Sequence, residues 1–201
     1  MVLIAATGVE YKALRRALPH LSIVRTGIAL SALREPLGED VVSCGLAGGL
    51  RCDLPTGTVL IPREVRRPDG TVLHCDPELV ECFSRAARSL GVEPVLDPLL
   101  TAASIVSGAE RRRWADQGFA GADMETGRVY AARVAAVRVI LDTPQHELSP
   151  AWRRPARAML DPRNWREAAW LAREAPRAAA LAARVISAAQ GIAPEVRITG
   201  Q

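Results

Sequence analysis

Short apolar runs that alternate with helical stretches dominate the first part of the chain. Residues 2–6 form an uninterrupted apolar run before a Thr-Gly pair, which is typical of a buried parallel strand. Residues 9–18 then have the apolar spacing of a helix, and the apolar runs 41–44 and 58–61 each predict a strand that feeds a loop. The pattern therefore predicts strands and helices in alternation from the N-terminus onward.

Turn and capping signals separate the elements that follow. Residues 67–70, Arg-Pro-Asp-Gly, predict a tight turn because proline presets φ and Asp-Gly tolerates a sharp bend. Residues 76–90 predict a helix that Asp76 caps and that ends at Gly91. Residues 99–106 predict a further strand.

The second half of the chain has the strongest local pattern. Asp123 is a cap for a predicted helix that continues to Tyr130, and the β-branched run 135–141 predicts a strand that ends at Asp142. The alanine-rich segment 164–190 predicts a long helix, which its internal proline is expected to kink or divide.

Length and composition agree with one large domain. The chain has 201 residues, of which 49% are hydrophobic and 24% charged, so it can bury a sizeable core. Strands that alternate with helices predict an α/β fold with a central mixed, mainly parallel sheet flanked by helices on both faces. We expect a single domain over residues 1–201, with 151–190 as its helical C-terminal part.

Charge and cysteine usage exclude several classes of function. The net charge is +4, and it comes almost entirely from scattered arginines, so we expect no nucleic-acid partner. No stretch approaches the roughly 20 apolar residues that cross a bilayer, and no cleavable leader is apparent, which predicts a cytoplasmic protein. The four cysteines form no C-x-x-C pair and the three histidines are scattered, so we expect neither a metal nor a cofactor.

Three carboxylates fall where an α/β sheet presents side chains to a crevice, at strand ends or helix starts. They are Glu10, Glu125 and Asp142. Strand alternation also places Arg138 on the same face as Asp142. Each carboxylate has a structural explanation as well: a helix-start charge for Glu10, an exposed helix position for Glu125 and a turn former for Asp142.

Taken together, three segments point to a family. Residues 43–50 (Ser-Cys-Gly-Leu-Ala-Gly-Gly-Leu), 122–125 (Ala-Asp-Met-Glu) and 137–142 (Val-Arg-Val-Ile-Leu-Asp) resemble, in order, the three signatures of the nucleoside phosphorylase and nucleosidase superfamily. Within it, the chain most resembles the hopanoid-associated phosphorylase group, whose members are implicated in removing adenine from adenosylhopane. That likeness depends on Leu46 in the glycine motif and on the stretch that runs from Pro144 into the arginine- and alanine-rich tail.

The resemblance implies an enzyme that cleaves an N-glycosidic bond and releases a free base. Positive charge then develops on the sugar and negative charge on the base. Asp142 would protonate the base, which requires an apolar setting that raises its pKa. Glu125 would hold ribose hydroxyls, and Met124 would pack on the sugar. The other substrate-binding candidates are Arg138 and, where backbone approaches the ligand, Gly45, Leu46, Gly48 and Gly49.

The same resemblance favours water as the nucleophile. Glu10 stands where the family's hydrolases have a glutamate that positions water. Phosphorolytic members carry Gly-Asp-Pro-x-Arg there, and residues 6–10 have neither that proline nor that arginine. Leu46 also replaces a serine or threonine hydroxyl that would hold an anion.

Two departures from the family pattern leave alternatives open. Leu141 replaces the serine that usually precedes the acid, and the interval from Glu125 to Arg138 is short, which implies a shortened helix or loop. The open alternatives are a methylthioadenosine or adenosylhomocysteine nucleosidase, a futalosine hydrolase, a phosphate-dependent phosphorylase and a non-catalytic purine-nucleoside-binding module.

The last predictions concern the C-terminal tryptophans, the substrate and the oligomeric state. Trp152, Trp165 and Trp170 are either helix-packing anchors or an apolar surface that receives a lipid-like substituent or lies on a membrane. The resemblance implies a small-molecule nucleoside substrate. It also implies a homodimer or higher homo-oligomer whose subunit contacts complete the pocket.

Overall fold

Nine strands form one sheet in the computed structural model, which describes residues 1–34, 36–153 and 158–192. The strands are β1 (Val2–Ala5), β2 (Ser22–Arg25), β3 (Asp40–Gly49), β4 (Val59–Leu60), β5 (Glu64–Arg66), β6 (Val72–His74), β7 (Leu99–Thr101), β8 (Gly121–Asp123) and β9 (Arg133–Ile140). The helices discussed below are α1 (Gly8–Ala17), α2 (Pro77–Ser89), α3 (Gly108–Asp116) and α4 (Trp165–Ile192). Short 3₁₀ turns lie at Ile28–Leu30, Thr126–Arg128, Pro150–Arg153 and Pro162–Asn164.

β3 is the central strand of a mixed, mainly parallel sheet. It pairs in parallel with β1 over residues 41–43 on one side and with β9 over residues 40–47 on the other. Its last residues, Gly48 and Gly49, pair antiparallel with β8. The full path is β2-β1-β3-β8-β7-β5-β6, with β9 joining β3 to β4. The predicted fold class is therefore confirmed.

Helices cover both faces of the sheet. Alternation along β7 places Leu99 in the large core cluster, where α1, α2 and α4 pack, and Leu100 in a second cluster beside α3. The buried face of α4 is rich in alanine, which lets the helix approach α1 and α2 closely.

Local signals in the sequence account for the helix starts and the hairpin. Thr7 and Glu10 form a capping box at the start of α1, and Asp76 accepts a hydrogen bond from the Leu79 N–H at the start of α2. The predicted turn at 67–70 joins β5 to β6 as an antiparallel hairpin. These predictions are confirmed.

The glycine segment lies inside a strand, which corrects the prediction that a strand ends there in a turn. Gly45, Gly48 and Gly49 all belong to β3. None of them adopts positive φ. Continuous pairing with β9 and then β8 satisfies the backbone of the segment and keeps it extended.

The helix predicted from Asp123 to Tyr130 is wrong. The chain leaves β8 at Asp123 and makes only a 3₁₀ turn over Thr126–Arg128. The Asp123 carboxylate accepts from the Thr126 N–H at 3.1 Å, and the Thr101 hydroxyl accepts from the Gly127 N–H at 2.7 Å. These side-chain bonds replace helical ones. In the short interval before β9, where the sequence implied a shortened helix or loop, the structure has this 3₁₀ turn and no α-helix.

Three further predictions need adjustment. The strand predicted over 99–106 stops at Thr101, and α3 was not predicted at all. Pro176 lies inside α4 and does not divide it. The predicted helical part 151–190 contains residues 154–157, which lie outside the described residues. No described helix is both long enough and apolar enough to cross a membrane.

Candidate active site

The three candidate carboxylates line one cavity of about 260 Å³ at the end of β3. Glu10 reaches it from the first turn of α1, Glu125 from the segment after β8, and Asp142 from the segment after β9. Met124 and Leu46 also line it, as does Gly48. The fold therefore brings together side chains that are far apart in the sequence.

Glu10 is almost fully buried and held by three donors. Its Oε2 accepts from the Thr7 N–H at 2.7 Å and from the Thr7 hydroxyl at 2.8 Å. Its Oε1 accepts from the Leu46 N–H in β3 at 2.8 Å. Glu10 is thus both a helix-capping residue and a fixed carboxylate on the cavity wall.

The glycines of β3 make room for side chains, which corrects the prediction that all three approach the ligand. A Cβ on Gly45 would lie 2.7 Å from Glu10 Cδ and 2.6 Å from Arg138 Nη1. A Cβ on Gly48 would lie 3.1 Å from Asp142 Oδ1. Gly49 faces Ile140, and neither Gly45 nor Gly49 lines the cavity. The glycines let the carboxylates lie against the strand.

Gly45→Ala is expected to cost about 2 kcal/mol of unfolding free energy and to impair activity, because the added methyl displaces both Glu10 and Arg138. Thermal or denaturant unfolding measures the loss. Gly38→Ala is the matched control, since its Cβ would meet only Val2 Cγ2 at 3.7 Å. A Gly45→Ala protein as stable and active as the wild type would contradict the described packing.

Arg138 lies beneath the cavity, buried to 1% exposure. Its Nη2 is 2.7 Å from Asp123 Oδ2 and 3.8 Å from Glu125 Oε2. It also donates to the hydroxyls of Ser43 and Thr126. Arg138, which the sequence predicted as a substrate-binding residue, does not line the cavity and contacts the carboxylates instead.

Glu125 is a buried carboxylate with two other carboxylates, Asp123 and Glu10, nearby. Burial raises its pKa to about 7; Arg138 and the hydrogen bond from Ala29 lower the pKa, while Asp123 and Glu10 raise it further. Because the folded pKa exceeds the unfolded value, the folded state binds this proton more tightly. The contribution of Glu125 to stability is therefore present at acid pH and is lost as the pH rises through about 7.

A strained turn after β2 reaches across to Glu125. The Ala29 N–H donates to Glu125 Oε1 at 2.9 Å. Ala29 and Leu30 have φ of 54° and 60°, a left-handed conformation that costs non-glycine residues roughly 1–2 kcal/mol each. Such strain persists where surrounding contacts hold it, and here the contact is with a predicted substrate-binding residue.

Asp142 forms an ion pair that the sequence did not predict. Its Oδ2 lies 2.5 Å from Arg111 Nη2, and both side chains are buried. Asp142 and Arg138 were expected to share a strand face, but β9 ends at Ile140, and each takes a different partner. Arg111 belongs to α3, a helix whose charged sequence gives little apolar periodicity.

Five of the remaining lining residues are apolar side chains that we call the apolar wall. Ile28, Leu148 and Trp152 lie there together with Ile105 and Val106. Trp170 stacks on His146 with ring centroids 4.3 Å apart, and Trp165 is 60% exposed. Of the three tail tryptophans, Trp152 is the one that reaches the cavity.

Comparison with known protein families identifies the family to which this chain belongs. A family model for the phosphorylase superfamily matches residues 2–187. The chain belongs to the phosphorylase superfamily. Membership makes it an enzyme of the nucleosidase or phosphorylase type. No curated protein matched the chain in sequence comparison.

Solved structures of the superfamily fold extend the comparison. The chain is similar to a 5′-methylthioadenosine/S-adenosylhomocysteine nucleosidase from Neisseria meningitidis in complex with methylthio-immucillin-A, with a TM-score of 0.71 and 17% identity, covering 96% of this chain and 98% of that one. It is also similar to the futalosine hydrolase of Helicobacter pylori, with a TM-score of 0.71, 12% identity and coverage of 96% and 97%. At these identities the likeness establishes a shared fold.

Proposed function

We propose that the protein cleaves the N-glycosidic bond of an adenine nucleoside that has a bulky or apolar 5′ substituent, with water as nucleophile. The observation that carries this proposal is the cavity itself, where Glu10, Glu125 and Asp142 meet an apolar wall. Its superfamily supports cleavage at a nucleoside N-glycosidic bond.

Each carboxylate has a role that the reaction requires. As the bond between C1′ and the base breaks, its electron pair leaves with the base, and Asp142 donates a proton to the base. Water adds to C1′ and gives a proton to Glu10, and solvent returns the enzyme to its starting state. Glu125 accepts hydrogen bonds from ribose hydroxyls while Met124 packs on the sugar. The cationic sugar is stabilised by the buried negative charge around it.

The charges around the cavity favour water over phosphate. Four lining residues are carboxylates: Glu10, Asp123, Glu125 and Asp142. Among the described lining residues the single cation is Arg111, and it is already paired with Asp142. An incoming phosphate would meet net negative charge without a free guanidinium, whereas a developing sugar cation would be attracted.

The apolar wall supports a 5′ group that buries hydrocarbon. Ile28, Leu148 and Trp152 offer aliphatic and aromatic surface rather than charge. Solved structures of similar nucleosidases hold 5′-methylthioadenosine or methylthio-immucillin-A. Adenosylhopane, with its large apolar group, is the substrate that we propose from the likeness to the hopanoid-associated group. A methylthioadenosine or adenosylhomocysteine nucleosidase, a futalosine hydrolase and a phosphorylase are the enzyme alternatives that the same test distinguishes.

Trp152→Ala is expected to raise KM for nucleosides with an apolar 5′ group by about 10-fold or more, because burial against the indole is lost. Adenosine itself, which lacks that group, should be affected less. Trp165→Ala is the matched control, since Trp165 is largely exposed. An equal effect of Trp152→Ala on adenosine and on its apolar derivatives would contradict this 5′ site.

Ligand affinity is expected to rise with pH through neutrality, because ribose hydroxyls donate to the ionised form of Glu125. With a pKa of about 7, affinity should increase about tenfold between about pH 6 and about pH 8. Titration calorimetry with a nucleoside analogue measures it. Glu125→Gln should weaken binding and flatten the pH dependence, whereas the exposed Glu93→Gln should retain it. A pH-independent wild type would remove Glu125 from the ribose contact.

Release of free base from a panel of adenosine derivatives, with and without phosphate, tests the proposed function. The panel contains adenosine, methylthioadenosine, adenosylhomocysteine, futalosine and adenosylhopane. Turnover that favours the apolar derivatives and ignores phosphate supports the proposal. Tight binding without release would identify a purine-nucleoside-binding module. Homo-oligomer assembly, a cytoplasmic location and contact with a membrane surface stay predictions, the first of which sedimentation at micromolar concentration would test.

A further inference from the structure

Arg111, which pairs with Asp142, is held by three hydrogen bonds of its guanidinium group. Arg111 is 2% exposed, and its Nη1 donates to the Gly49 carbonyl at 2.6 Å. Its Nη2 donates to the Val106 carbonyl at 3.1 Å and to Asp142 Oδ2 at 2.5 Å. Two rigid backbone acceptors therefore define where the guanidinium lies, and the guanidinium defines where Oδ2 lies.

We propose that Arg111 is the positioning residue for Asp142 and replaces the hydroxyl that position 141 lacks. This inference builds on the proposed function, in which Asp142 protonates the base. Leu141 is buried and has no side-chain donor. Arg111 supplies the orienting hydrogen bond from α3 instead, across the end of β3. It holds Oδ2 and leaves Oδ1 for the base.

Strand β3 also restricts the Asp142 carboxyl group, through the missing side chain of Gly48. A Cβ on Gly48 would lie 3.1 Å from Asp142 Oδ1 and 3.3 Å from Oδ2, so the carboxyl group lies directly against β3. Arg111 on one side and the bare backbone of Gly48 on the other restrict rotation of the carboxyl group. A fixed carboxyl reaches a transition state without reorganising.

Arg111 also has a second carboxylate on its far side. Glu147 Oε1 lies 3.6 Å from Arg111 Nε, which has no hydrogen-bond partner in the described part of the chain. Glu147 accepts from the Gly108 N–H at the start of α3 at 3.0 Å. It therefore holds the helix that carries Arg111 and partly balances its charge.

Charged groups near Asp142 come from several elements. Arg111 from α3 contacts it directly, and Glu147 lies beyond Arg111. His146 precedes Glu147 and stacks on Trp170, while the other cavity carboxylates lie on β8, α1 and the turn between β8 and β9. Among the described residues, Arg111 is the cation that pairs with Asp142.

The test compares Arg111→Met and Arg111→Lys with Arg112→Met, an exposed neighbour on the same helix. The measurement is kcat and KM for base release, each determined separately. Arg111→Met should lower kcat about 10²-fold with little change in KM, because the substrate still binds while the carboxyl group loses its orientation. Arg111→Lys keeps the charge but not the three-way geometry, so its kcat should fall about 10-fold, again with little change in KM.

Two outcomes would overturn the role of Arg111. One is an Arg111→Met enzyme whose kcat per folded molecule matches that of the wild type, as expected if the arginine only stabilises the fold. The other, which applies even when the Met variant does not fold, is an Arg111→Lys enzyme with wild-type kcat.

A readout that needs no turnover separates this proposal from the proposed function. Absence of base release by the wild type on every nucleoside would refute the function alone. Thermal unfolding of Arg111→Met, Asp142→Asn and the double variant then measures the pair directly. We expect the double variant to lose much less in Tm than the sum of the single losses. Additive losses would show that Arg111 does not hold Asp142.

Discussion

Asp142→Asn is expected to abolish base release, with kcat reduced by about 10³-fold or more, in a protein that remains folded. The amide keeps the shape of the side chain and can still accept from Arg111, but it has no proton to donate to the leaving base. Free-base release from an active nucleoside measures the change. Ligand affinity should fall far less than kcat.

Asp97→Asn provides the matched control for Asp142→Asn. Asp97 is also paired with an arginine, Arg51, at 2.6 Å, but it lies away from the cavity lining and is about half exposed. That variant should retain activity, because an exposed pair contributes little to stability. Turnover of Asp142→Asn at a rate near that of the wild type would remove Asp142 from the mechanism.

Glu10→Gln is expected to slow cleavage by about 10²-fold or more, the usual scale for loss of a positioned general base. Glutamine also serves in a capping box, so α1 should still start at the same place. One of the acceptors that now face Thr7 and Leu46 becomes a donor, and water loses its base. Rates of both proteins should be insensitive to phosphate, with free reducing sugar as the product.

Glu110→Gln is the control for Glu10→Gln, because Glu110 is an exposed first-turn glutamate of another helix. Its rate and product should match those of the wild type. Recovery of ribose 1-phosphate as the main product of the wild type in phosphate buffer would overturn hydrolysis. Glu10 would then be a helix-capping residue alone.

The fold could be predicted because its signals are local. Apolar runs predicted β1, β3 and β9, the apolar spacing of residues 9–18 predicted α1, and the cap Asp76 predicted the start of α2. The error after β8 has a nonlocal cause. Asp123 has the residue type of a helix cap, but Arg138, fifteen positions onward, and Thr101 draw the backbone into a different set of bonds.

Some residues of the site could be predicted from the sequence and others could not. Glu10, Glu125 and Asp142 stood at strand ends and helix starts, so their convergence followed from α/β topology. Arg111 lies in the run Glu-Arg-Arg-Arg-Trp, where three adjacent arginines look equally solvated. Only the packing of α3 against the end of β3 selects the first of them for burial. The glycines likewise predicted that another group approaches β3 closely, but the sequence did not show that this group is a set of side chains from the same protein.

The position of β3 has a consequence for how this enzyme can change over evolution. Two of the carboxylates depend on its backbone: Glu10 accepts from the Leu46 N–H, and Asp142 lies against Gly48 and pairs with Arg111, which donates to the Gly49 carbonyl. The apolar wall comes instead from segments outside the strands, at Ile28 and around Leu148. Under the proposed function, substitutions at Leu148 would change the 5′ group that the cavity accepts without moving Glu10 or Asp142, because loops tolerate change that a central strand does not. Substitutions at Ile28 would not have this freedom, because the neighbouring Ala29 donates to Glu125. Bond cleavage and choice of the 5′ group would then evolve independently on one side of the cavity and together on the other.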